Sequence, residues 1–241
     1  MSALRSALSA VSKSAAVLCC VVIAMSACSR PAATSASPSP PAPSTRAGTP
    51  AAPAPELDAD TLLVSVEDTR RIANNDSLQQ ADSGVAHRPA HFDSDAPPPC
   101  QAANDQQATF GTDWQQFRSA AYTAVVAGPS SVVDGKLYPG ANKMLDVVQS
   151  VGVYSPAAAR AAFERLIPTL KACAALHVRY HDYTVNMPDP DTVVLTYPDP
   201  ETSSMFRVKS SVLMQVWALG FPNSQDIAQT IVQTITDRIP Q

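Results

Sequence analysis

Glycine is scarce in this sequence, with eight in 241 residues. That leaves little for phosphate-cradling loops. No Gly-x-Ser-x-Gly elbow, His-Glu-x-x-His pair or glycine-rich nucleotide loop occurs. Basic residues are never clustered: 17 Lys and Arg stand against 21 Asp and Glu, a formal charge of −4. Binding a phosphate backbone needs a concentrated basic face, so nucleic acid is not an expected partner. The apolar run at residues 15–27 is shorter than the roughly 20 residues a membrane span requires. No catalytic residue, metal or cofactor can be assigned from motifs.

What is present at the N-terminus is more informative. Arg5 and Lys13 precede the apolar run, which has the length of a signal-peptide core, and the small residues Ser26 and Ala27 fit a cleavage site. Cys28 follows them directly. This register matches the bacterial lipobox, with Met25 where leucine is commoner. It implies cleavage of a signal peptide at residues 1–27 and a diacylglycerol on the Cys28 sulfur. A plain secretory signal that leaves Cys28 a free thiol is the other reading. Cys19 and Cys20 lie inside the apolar core and are poor cleavage points. Without residues 1–27 the chain keeps 15 basic and 21 acidic residues, a balance of −6. Attachment to anionic lipid by charge is therefore not expected, and the acyl group on Cys28 would do the anchoring to the extracytoplasmic face of the cell membrane.

Residues 28–55 are mostly Pro, Ala, Ser and Thr after the cysteine, without apolar periodicity. They read as a disordered linker of polyproline character, able to extend on the order of 80 Å. Residues 56–241 suit one domain with a sizeable core. That domain holds two cysteines, Cys100 and Cys173. In an exported protein such a pair is expected to form a disulfide, worth about 4 kcal/mol by loop-closure entropy. Two free buried thiols are the alternative.

Ser65 with Asp68 resembles a capping box opening a short helix that ends at Asn74 and Asn75. Residues 76–99 are polar and turn-rich and read as a loop. Residues 101–116 resist assignment, residues 117–127 fit a strand or a helix, and residues 128–143 read as a turn-rich connection. Residues 146–154 alternate as a strand, with Val147, Gln149, Val151 and Val153 on one face. Ser155 followed by Pro156 is a strong helix start, and Ala159, Ala162, Phe163, Leu166, Leu170 and Cys173 recur at helical spacing. Strands are expected over 176–185, 192–197, 204–210 and 211–219, joined by Asp-Pro turns. Asn223 or Ser224 then caps a helix striped by Ile227, Ile231, Ile235 and Ile239. The expected fold is α+β, an antiparallel sheet with helices covering one face.

In this order the elements resemble the extracellular sensor domain of the mycobacterial PknH-type serine/threonine kinases, which also occurs in lipoproteins without a kinase. Residues 147–173 carry the likeness best, with the Val-Gln-Ser-Val-Gly-Val-Tyr strand, the Ala-rich helix and its closing cysteine. The resemblance implies a concave cleft, a non-catalytic ligand-sensing role outside the membrane, and pairing of Cys100 with Cys173. A second family bridge is missing, since Met205 or Phe206 and Ala218 or Leu219 stand in its place.

Two further sets of side chains bear on chemistry. His87 with His91 and His177 with His181 are each four apart. On a strand such pairs stand about 13 Å apart, too far to share a zinc, so surface histidines are the expectation rather than a metal site. Among Trp114, Phe117, Tyr122, Trp217 and Phe221 most are expected in the core. Trp114 and Tyr122 are the expected exposed members, lining the cleft and contacting a ligand. The partner is an unidentified small molecule, with docking on an envelope protein as the alternative and an enzyme with an unrecognised site as the remaining one.

Overall fold

The computed structural model describes residues 57–92, 95–128 and 130–240. Cys28 and the expected signal peptide and linker lie outside them. A 3-10 turn at Ala59–Thr61 leads to α1 (Val66–Ala73), where Ser65 Oγ accepts the Asp68 N–H at 3.1 Å and Asn74 closes the helix in the left-handed region at φ 49°. After β1 (Gln79–Ala86) come α2 (Pro98–Asn104) and α3 (Gln106–Phe110), then β2 (Gln116–Val126). A small hairpin of β3 (Ser131–Val133) and β4 (Lys136–Tyr138) precedes β5 (Lys143–Val153) and α4 (Pro156–Ala174). A meander of β6 (Thr184–Asp189), β7 (Thr192–Thr196), β8 (Thr202–Lys209) and β9 (Val212–Leu219) then feeds α5 (Ser224–Asp237).

Seven strands form one antiparallel sheet in the order β1-β2-β5-β9-β8-β7-β6, so the fold is α+β as expected. Helices cover both faces, not one. One core contains Tyr122, Val147, Val151, Met214 and Val216 and packs under Ile227, Ile231 and Ile235 of α5. The other contains Phe117, Phe206 and Leu213 and packs under Phe163, Leu166 and Leu170 of α4. Unbroken apolar runs such as Val193-Val194-Leu195 and Val212-Leu213-Met214 must bury on both sides, because successive side chains point opposite ways.

Three local expectations change. Residues 79–86, taken as loop, form edge strand β1, which pairs with β2 although almost none of it is buried. The 128–143 connection contains the β3–β4 hairpin. Residues 176–183 are not strand: His177 and Tyr180 adopt positive φ of 48° and 72°, and the backbone closes turns from Leu176 to Cys173 and from His181 to Val178. Pro168 lies inside α4 without ending it. Pro168 and Glu164, whose carbonyl the missing N–H would have bonded, are both exposed, so water can serve that carbonyl.

Cys100 in α2 and Cys173 in the last turn of α4 are bonded, S–S 2.06 Å, and both are fully buried. A polar layer seats α3 on the sheet. Gln106 Nε2 donates to Ser119 Oγ at 2.9 Å and to Ser150 Oγ at 3.0 Å, while its Oε1 accepts the Ala90 N–H.

Candidate functional site

On the face packed by α5, the helix lies over β8 and β9 and leaves β7 and β6 uncovered. A groove of about 850 Å³ opens between them. Thr192, Val194 and Thr196 of β7 and Met205 and Arg207 of β8 form its floor. Gln225, Gln229 and Gln233 come from one edge of α5, with Asp226 and Thr230 beside them. These glutamines stand four apart, so they stack along the helix edge next to the Ile stripe. Asn186 and Asp189 of β6 form the far rim.

The floor holds two buried polar atoms without a hydrogen-bond partner, Thr192 Oγ1 and Arg207 Nε. Thr192 and Arg207 are direct cross-strand partners on β7 and β8, so the two atoms belong to adjacent side chains on one face. Thr192 is 4% exposed. Asp189 and Asp226 also line the groove, yet no ion pair links either of them to Arg207 among the described residues. Leaving such groups unsatisfied costs about 1–3 kcal/mol each, a cost that a ligand with matching groups would relieve. In the sequence both residues read only as strand positions. The available signals were a lone arginine inside the otherwise apolar Met205-Phe206-Arg207-Val208 run and the glutamine row at 225, 229 and 233.

Trp114 and Tyr122 do not form a site together. Trp114 is half-buried, its Nε1 donates to the Gly111 carbonyl at 3.0 Å, and its ring leans on Phe117 at 6.1 Å. Tyr122 is 5% exposed, in the opposite core, and its hydroxyl donates to the Val64 carbonyl at 2.7 Å. Phe117 and Tyr122 are an odd number of residues apart on one strand, which sends them to opposite faces. The expected exposure of Tyr122 is therefore corrected, and neither residue lines the groove.

The histidines also separate. His91 Nδ1 pairs with Asp105 Oδ2, and His177 Nδ1 lies 3.0 Å from Asp182 Oδ1. His181 is buried, not a surface residue, and its Nδ1 has no partner; burial lowers its pKa below the ordinary histidine range. Among the described residues no group of three His, Cys, Asp or Glu could hold a metal ion, and no helix is long and apolar enough to cross a membrane.

On the sheet face packed by α4, Asp146, Trp217 and Ser204 of β5, β9 and β8 also carry unpartnered buried atoms. Burial raises the Asp146 carboxyl above its usual range. A raised acid favours folding below the unfolded pKa and loses that advantage as pH rises through the folded one. Asp146→Asn is therefore expected to melt higher than the natural protein at pH 7. The difference should shrink toward zero near pH 3, and thermal melts across that range measure it.

The PknH-like extracellular domain family matches residues 54–238, and the chain belongs to that family. Among curated proteins nothing matches. The crystal structure of the extracellular domain of PknH from Mycobacterium tuberculosis is similar at 19% identity, covering 74% of this chain and 94% of that one, with a TM-score of 0.48.

Proposed function

We propose that this is an extracytoplasmic, sensor-like lipoprotein, anchored through Cys28, whose domain binds a ligand in the β6–β7–β8/α5 groove and catalyses nothing. The observation that carries the reading is the unpartnered Thr192–Arg207 pair on the groove floor. The groove lining contains no histidine or cysteine, and Asp189 Oδ1 is occupied by the Asp191 N–H at 2.8 Å. That chemistry suits holding a molecule rather than activating a nucleophile.

Native mass spectrometry of the protein purified gently from an actinobacterial host tests the groove. A reproducible added mass, lost when Arg207 is changed to Gln, supports binding there. A clean mass together with a cross-linked envelope protein favours the second reading, a docking module. The exposed β3–β4 hairpin motivates that reading, with Val132 at 67% and Leu137 at 71% exposure. An isolated two-stranded hairpin is marginal in water, so apolar residues on it gain from a partner. For the anchor, Cys28→Ala is expected to move the protein from the membrane fraction to the soluble one and to abolish incorporation of a labelled fatty acid. Unchanged membrane retention would overturn the lipid claim.

A further inference from the structure

We propose that the groove's ligand is a sugar acid, a hydroxyl-rich ring carrying one carboxylate, with Arg207 as the carboxylate receptor. This rests on the groove being the ligand site. A guanidinium offers parallel N–H donors that match the two oxygens of a carboxylate, and Arg207 Nε is a buried donor with no acceptor. The Thr192 hydroxyl stands across from it, equally unpartnered, and supplies a further hydrogen bond to the bound anion.

The walls select what carries that carboxylate. Gln225, Gln229 and Gln233 rise along the groove at about 6 Å intervals, one helical step of four residues. Each amide is both donor and acceptor, as is each hydroxyl of a sugar, so the two lists complement one another. Val194, Met205 and Val232 form an apolar strip beside the polar row, and a sugar ring presents a C–H face to the one and hydroxyls to the other. Asp189 and Asp226 accept hydrogen bonds from hydroxyls and repel anionic charge, so a single carboxylate held at Arg207 is the most the groove accommodates and a polyphosphate does not fit.

The full-length protein in detergent, isotopically labelled, is titrated with glucuronate, glucose, acetate and glycine while NMR follows the Arg207 Nε–H and the backbone amides of β7 and β8. Glucuronate is expected to shift the Arg207 Nε–H and to bind at least about tenfold tighter than glucose or acetate, a difference that Arg207→Gln and Arg207→Lys both erase. Retained amide spectra in both variants confirm that they fold, and Thr192→Val provides a second, milder probe of the same contact. Equal binding of glucose and glucuronate, indifferent to Arg207, overturns the acid specificity and leaves the groove reading intact. Tighter binding of glycine overturns the sugar assignment. Silence of the groove amides toward every probe, while the native adduct persists in Arg207→Gln, overturns the groove itself.

Discussion

Replacing Cys100 and Cys173 together by alanine is expected to cost about 4 kcal/mol of stability, from the closure entropy of a loop this long. The two cysteines are 73 positions apart, so the bond removes a large set of conformations from the unfolded chain. The folded side of the balance points the same way. α2 is seven residues long, too short to persist alone, and no side chain caps its start at Pro97. Apart from the sulfur bridge it is held by packing under α4, by Gln215 Nε2 reaching the Ala103 carbonyl at 3.2 Å and by Thr109 Oγ1 donating to the Ala102 carbonyl at 2.8 Å. The loss should appear as a fall in melting temperature of about 8–16 °C, given roughly 2–4 °C per kcal/mol in a domain of this size. Hydrogen exchange should show α2 and α3 losing protection before the sheet does. Coincident melts of the oxidised, reduced and double-alanine proteins would contradict it.

The parts of the fold that were legible in the sequence are those whose signals are local. Ser65 with Asp68, Ser155 with Pro156, and the Ile227–Ile231–Ile235 stripe each fix a helix from within a few residues. The Val147–Val153 alternation fixes a strand in the same way. β1 was illegible because its sequence, Gln-Gln-Ala-Asp-Ser-Gly-Val-Ala, has no apolar face; it is a strand because β2 offers it an unpaired edge. Coverage of both sheet faces was written in the Val193–Leu195 run, which has no polar side to give to water. Residues 176–183 have apolar and aromatic content typical of a strand, yet the α4 C-terminus turns back through positive-φ residues instead. At the candidate site the sequence offered aromatics, and the fold spent Tyr122 on the core. Arg207 becomes meaningful only when β8 pairs with β7 and sets it opposite Thr192, its Nε left without a hydrogen-bond partner.

Gln149 is the polar residue that alternation sets on an apolar face, and changing it to leucine is expected to cost about 2 kcal/mol, as the buried Val64 N–H loses its partner and the Val64 carbonyl keeps only Tyr122. Gln149 is fully buried among Val147 and Val151. Its Oε1 accepts the Val64 N–H at 2.8 Å and its Nε2 donates to the Val64 carbonyl at 2.6 Å, so the amide takes the place of a neighbouring strand. Tyr122 donates to the same carbonyl, which makes the two side chains a shared clamp on the segment between the first turn and α1. Tyr122→Phe alone should cost only about 1 kcal/mol, and the double variant should cost more than the sum, because either side chain alone still satisfies the carbonyl and only the double leaves it buried without a partner. Gln149→Glu discriminates this clamp from simple packing. At neutral pH it sets a carboxylate oxygen against the Val64 carbonyl and should be worse than leucine. As pH falls and the carboxyl takes up a proton, the missing donor returns and the deficit should narrow. Urea titrations of the four variants at pH 7 and pH 4.5, with exchange of the Val64 amide as the local reporter, measure both effects. A Gln149→Glu protein whose deficit is the same at both pH values would mean that the Val64 clamp does not stabilise the domain.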